Sequence, residues 1–220
     1  MRRALRLGAF VLACAAAAPA FADDEACKPA LGHGWPPATE NYGTAVEGLL
    51  ADGIAPELML TRLPARGNED ALMLARDASG GWTLRYAEAD ERVMSWTGNG
   101  LEMRRELMVD QVPEKLEVPI PAILATRVVD AWRQALTEAV PAGVEAPYNE
   151  GDTWLVVIGG DRVSGAAPDC GSARFMAEQL ELLIDAADTK ASKRDRRWAE
   201  VAESLDEMRE ARARADGGSA

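Results

Sequence analysis

The 220-residue chain carries 24 Lys and Arg against 36 Asp and Glu, with one His and three Cys, for a formal net charge of −12. Such an excess of acid argues against nucleic acid or an anionic membrane surface as the main partner, because both are bound through clustered Lys and Arg. A hydrophobic fraction of 48% over the length of one domain is enough for a packed core.

Arg2, Arg3 and Arg6 precede an apolar run from Leu7 to Ala18, and Ala20-Phe21-Ala22 closes it ahead of Asp23. A basic start, an apolar stretch and a small-x-small end are the order of a cleaved secretory signal peptide over residues 1–22. The run is too short to span a hydrocarbon core of about 30 Å as a helix, so no transmembrane segment is expected. Cys14 in a lipoprotein box and Arg2-Arg3 as a twin-arginine signal are competing readings; the bulky Leu12 weighs against the first and Arg6 against the second. Removing the leader takes away three Arg and no acid, so the mature chain would be still more acidic. Two cysteines, Cys27 and Cys170, then remain. In an oxidising compartment an even pair reads as a disulfide, and one closing so long a loop stabilises by up to about 5 kcal/mol in the chain-entropy picture.

Residues 23–40, rich in Pro, Gly and Ala, read as an extended strap. Asn41 to Asp52 suits a short helix with Tyr42, Val46, Leu49 and Leu50 on one side, ended by Gly53. From Glu57 the period changes to two, and Pro64 to Gly67 breaks it. Ala71–Arg76 and Trp82–Ala87, joined by Asp77-Ala78-Ser79-Gly80-Gly81, predict a β-hairpin. Its second strand sets Trp82, Leu84 and Tyr86 against Thr83 and Arg85, which implies a sheet with one buried and one wet face. Val93–Trp96, the turn Thr97-Gly98-Asn99-Gly100 and Leu101–Val109 are expected to continue the meander. Leu116–Ile120 reads as an edge segment, since Pro119 has no N–H for a ladder.

Pro121 starts a helix that runs to about Val140, where Pro141 stops it; Leu124, Val128, Trp132, Leu136 and Val140 form its apolar stripe. Trp154–Ile158 is an uninterrupted apolar run between glycine turns, a strand buried on both faces, with Arg162–Gly165 pairing back on it. Ser172 is placed to cap a second helix carrying Met176, Leu180, Leu183, Ile184 and Ala187. Residues 188–220 form a charged helix and tail in which Trp198, Val201, Leu205 and Met208 make one narrow seam. The seam suits packing on the domain, a homodimer or a partner contact. The expectation is thus an α+β single domain over 23–187, an antiparallel β-meander or sheet packed by two amphipathic helices, plus the charged C-terminal helix.

Chemistry is sparse. His33 is the only histidine, and none of the seven serines sits in a Gly-x-Ser-x-Gly elbow. There is no His-Glu-x-x-His or Cys-x-x-Cys, and neither Gly98-Asn99-Gly100 nor Gly159-Gly160-Asp161 completes a phosphate loop, so no metal and no cofactor are expected. Glu145, Glu150, Asp152 and Asp161 bracket the buried strand and are the candidates for a carboxylate pair. Trp35 and Trp96 lie in or beside turns, where an exposed indole favours a ligand or protein contact. These features point first to a periplasmic or secreted, non-catalytic binding protein, inhibitor- or immunity-like against a basic protein. A carboxylate-based hydrolase of envelope glycans, and an assembly factor dimerising through Trp198 and Leu205, are the alternatives.

Overall fold

The computed structural model describes residues 30–36, 40–100 and 102–217. The leader, Cys27 and most of the strap lie outside the described residues, and with Cys27 so does its pairing to Cys170.

In chain order the elements are β1 (Leu31–His33), α1 (Glu40–Ala51), β2 (Leu58–Leu63), β3 (Asp70–Arg76), β4 (Trp82–Glu88), β5 (Met94–Thr97), β6 (Arg104–Leu107), β7 (Glu114–Pro119), α2 (Ala122–Ala139), β8 (Thr153–Ile158), β9 (Asp161–Gly165), α3 (Phe175–Asp188) and α4 (Ala191–Gly217). Seven strands form one sheet in the order β1-β9-β8-β2-β3-β4-β7, each neighbour antiparallel to the next. The fold is α+β, as the pattern of the sequence predicts. The tight β3–β4 connection is held by Asp77, whose Oδ1 accepts from the amides of Ser79 (2.8 Å) and Gly81 (2.9 Å) and from the Ser79 hydroxyl (2.6 Å). Those donors, the Ser79 hydroxyl first, hold its carboxyl below the usual range.

Strand alternation sorts the core into two layers. Leu58, Leu60, Leu72, Leu74, Leu84, Trp154, Val156 and Ile158 point to one face, where α2, α3 and α4 cover them. Met59, Leu63, Ala71, Met73, Ala87 and Leu155 point to the other and meet Tyr42, Val46 and Leu50 of α1. The expected wet face is therefore not wet. Arg85, whose alternation suggested solvent, is buried beneath α1, as is Thr61 of β2.

Three further expectations change, and of the readings open for the α4 seam one is met. The β5–β6 hairpin does not extend the meander but forms its own two-stranded sheet. Within the strap, Leu31–His33 pairs with β9 as an edge strand, Leu31 opposite Gly165 and His33 opposite Val163. Ser172 does not cap a helix: it opens a 3-10 turn, Ser172–Arg174, and its hydroxyl donates to Glu138 Oε2 at 3.2 Å. The seam of α4 is used within the chain, since Trp198, Val201, Leu205 and Met208 are all buried in the helical core. Gln179 on α3 ties the three helices together. It accepts from Trp132 Nε1 of α2 at 2.7 Å and donates through Nε2 to Ser204 Oγ of α4 at 3.4 Å. Arg212 grips Glu138 with Nε and a terminal nitrogen, at 3.0 and 2.6 Å from Oε1, and fastens the end of α4 to α2.

Candidate functional site

The β5–β6 hairpin is rooted in the α1-side core and projects from it. Val93, at its base, is buried, and its amide donates to Glu69 Oε2 at 2.8 Å. Glu69 is itself fully buried on the loop before β3, and its other carboxylate oxygen accepts from the Tyr42 hydroxyl of α1. Burial, reinforced by Glu69, pushes the Tyr42 hydroxyl far above the usual phenol range, so it stays a donor. Arg92 donates to the carbonyls of Ala65 (2.9 Å) and Pro64 (3.2 Å). Gln111 closes the base, accepting from the Glu91 amide at 3.0 Å and donating to the Met108 carbonyl at 2.6 Å. Beyond this root, Gly98 forms the turn: it sits at φ +128°, and a Cβ there would lie 2.0 Å from the Glu102 carbonyl oxygen, so no other residue fits.

Trp96 stands out from this support with 61% of its surface exposed. It borders a groove of about 380 Å³ lined also by Glu91, Arg92, Met94, Ser95 and Met108. Met103, Val109 and Val112 are further exposed apolar side chains on the same hairpin and its exit. Around them the acids Asp90, Glu91, Glu102, Glu106 and Asp110 are exposed, as are Arg104 and Arg105 on β6, Arg105 directly opposite Trp96. An apolar centre in a segment with more exposed acids than bases suits contact with a cationic, partly apolar surface, with the indole as anchor and as a face for a guanidinium or ammonium. The groove does not have the parts of a nucleophilic enzyme. Ser95 lines it, whereas His33 lines a separate cavity of about 50 Å³ with Arg133 and Asp161.

The other predicted residues fall elsewhere. Trp35 is half-buried against α1, where Gly43 makes room for it: a Cβ on Gly43 would come within 2.5 Å of the Trp35 ring. Its face carries the Arg162 guanidinium, 5.2 Å from the ring centre. Trp35 is thus part of the second core rather than an exposed contact. Trp198 and Leu205 are buried under their own domain, so neither is presented to a partner. The four carboxylates are exposed, and Glu150 and Asp152 lie close together, on either side of Gly151. Glu145 belongs to a short stretch running beside His33 of β1. Asp152 precedes β8, accepting from the Ala65 amide at 2.8 Å, and Asp161 pairs with Ile158 at its far end. The six extended residues of β8 between Asp152 and Asp161 amount to about 20 Å, beyond the spacing of a glycosidase pair for these two. Among the described residues no group of three or more His, Cys, Asp or Glu could hold a metal ion, and no helix is long and apolar enough to cross a membrane.

The link between buried Tyr42 and Glu69, with the half-buried Arg92 near them, leaves no local signal in the sequence. Glu69 follows Gly67-Asn68 and looks like any loop acid, and its partner is 27 residues away. Comparison with family models, with curated proteins and with solved structures gives no match.

Proposed function

We propose that this chain is exported to the bacterial periplasm and acts there as a non-catalytic binding protein, using the β5–β6 hairpin to engage and block a basic protein. The observation that carries this reading is Trp96, exposed on a hairpin rooted in the α1-side core, beside a groove in a mainly acidic segment. Exposed indoles are costly to leave in water and are concentrated at the centres of interfaces. The signal-like leader supports the location, and the net charge of −12 supports the sign of the partner. Glu91 and Glu106 would then meet Lys or Arg side chains while Trp96 covers an apolar spot between them.

The test is retention of periplasmic and supernatant proteins on the immobilised mature chain at about 50 mM salt, with a salt step for release, run beside the Trp96→Ala variant. A basic protein held by the wild type, released by salt and lost from the variant is the expected result. Equal retention by Trp96→Ala overturns the hairpin as the contact; absence of any basic protein overturns the partner class. Substituting so exposed a side chain should change folding stability by no more than about 0.5 kcal/mol, so lost binding will not reflect unfolding.

A further inference from the structure

The seven-stranded sheet ends on one side at β7, and the direction of its unused backbone groups is fixed by the register. Leu84 lies opposite Val118 and Tyr86 opposite Leu116, and the Ile120 amide donates to the Trp82 carbonyl at 3.1 Å. Residues on a strand present N–H and C=O alternately to either side, so Leu116, Val118 and Ile120 bond inward to β4, while Lys115, Glu117 and Pro119 face away from it. Pro119 has no N–H, and neither has Pro113 just before the strand. The outward donors of this edge are therefore the amides of Lys115 and Glu117, one on each side of Leu116. The opposite edge is already covered: β1 exchanges hydrogen bonds with the 144–146 stretch, His33 N to Val144 O at 2.7 Å and Ala146 N to His33 O at 3.0 Å.

We infer that β7 pairs antiparallel with β7 of a second copy of this chain, about a two-fold axis at Leu116. This register uses every outward donor between the two prolines. Lys115 of one copy exchanges N–H···O bonds with Glu117 of the other, and Glu117 with Lys115, four bonds in all. It also sets a Lys opposite a Glu twice, and opposite charges directly across a strand pair are favourable. A shift by two residues either way sets Glu117 opposite Glu117 or Lys115 opposite Lys115, like charges that are destabilising directly across a strand pair. Lys115 also bonds Asp52 of its own chain at 2.6 Å, so in the pair its ammonium is shared between Asp52 and the facing Glu117. Val112, 82% exposed, and Ile123, 80% exposed, flank the two ends of the strand. In the antiparallel pair the Val112 end of one copy lies beside the Ile123 end of the other, which shelters both from water. The prolines limit pairing to this short segment, and with the β1 edge covered the assembly closes at two. This inference is independent of the hairpin as a binding surface.

Sedimentation velocity of the mature chain, from about 1 μM to about 1 mM, tests it. The wild type is expected to convert from monomer to dimer across that range. Glu117→Pro removes two of the four interchain donors at a position whose N–H makes no bond to β4, and should weaken the dimer about 30-fold while far-UV circular dichroism is unchanged. Glu117→Lys, which sets Lys opposite Lys, should weaken it by about tenfold or more, and the exchanged pair K115E/E117K should restore it. A chain that stays monomeric throughout, or a dimer indifferent to Glu117→Pro and Glu117→Lys, overturns the inference; if Glu117→Pro does not fold, the two charge variants decide.

Discussion

On the helical face of the sheet, Trp132, Leu180, Leu183, Val201 and Met208 fill a continuous apolar layer, and Gln179 at its centre has its partners in Trp132 and Ser204. On the α1 face a smaller set, Tyr42, Val46, Leu50, Met73 and Leu155, shares its space with Glu69, Arg85 and Thr61. Among the described residues, the buried side-chain atoms without a hydrogen-bond partner are Glu47 Oε1, Thr61 Oγ1, Arg85 Nε, Arg92 Nε and Thr97 Oγ1. Every one lies in α1, on strand positions facing α1, or in the hairpin and the segment leading into it. Buried polar groups left unpaired each cost free energy, so the two layers differ in how firmly they are held. The contrast teaches a division of labour: the helical layer supplies most of the stability, and the polar layer roots the exposed Trp96 and is the first to open.

The largest effect that would test this contrast comes from Trp132→Ala. It empties the middle of the helical core and strips Gln179 Oε1 of its 2.7 Å donor. A loss of about 3 to 5 kcal/mol is expected, with the unfilled cavity as the main cause and the orphaned amide adding to it. Chemical denaturation followed by circular dichroism measures it. A loss no larger than that of a matched Leu50→Ala on the α1 side would mean that the two layers do not differ as described.

Tyr42→Phe comes next. It keeps the ring in the α1-side core but removes the hydroxyl that donates to Glu69, leaving a fully buried carboxylate dependent on the Val93 amide. The expected cost is about 1 to 3 kcal/mol. Its distribution matters more than its size: hydrogen exchange should quicken at Val93 and Met108, the root of the hairpin, with little change in α2 and α3. Uniform acceleration across both layers would show that they open as one unit.

Much of the helical layer is legible in the sequence because its periodicity is unmixed. Leu124, Val128, Trp132 and Leu136 recur at helical spacing, and Trp154–Ile158 is apolar without interruption. The turn Thr97–Gly100 also marks Trp96 as exposed. The α1 layer hides for a physical reason: Arg85 and Thr61 alternate with apolar neighbours as residues on a wet face do, and only the long-range arrival of α1 buries them. Asp52, just past the end of α1, sits 3.4 Å from Arg85, a partner that no local pattern announces. The seam of α4 shows a different limit. Spacings of three and four say that Trp198 and Leu205 must be covered, but the same stripe serves an intramolecular and an intermolecular seam, and its own chain supplies the cover here. In β1, three residues are too few for any period to register.

The smallest effect concerns Glu47, on α1 under Trp35 and Arg162, and it tests whether the polar layer carries a cost at neutral pH. Burial pushes its carboxyl above the ordinary value of 4.5, and Arg162, with a nitrogen 3.7 Å away, pulls it partly back. A carboxyl whose folded-state value is raised holds its proton more tightly when folded. Its contribution favours folding fully below the unfolded value and is lost as pH rises through the folded one. At neutral pH the charge is therefore a burden, so Glu47→Gln should be more stable relative to wild type at about pH 7 than at about pH 4. Arg162, with nearly half its side chain exposed, keeps its hydration without the partner, so the variant does not strand a buried cation. Denaturation midpoints of the two proteins across this range give the answer. A difference that stays constant with pH would mean that Arg162 fully compensates the burial of Glu47, and the case for a weaker layer would then rest on Tyr42, Glu69 and the unpaired groups around them.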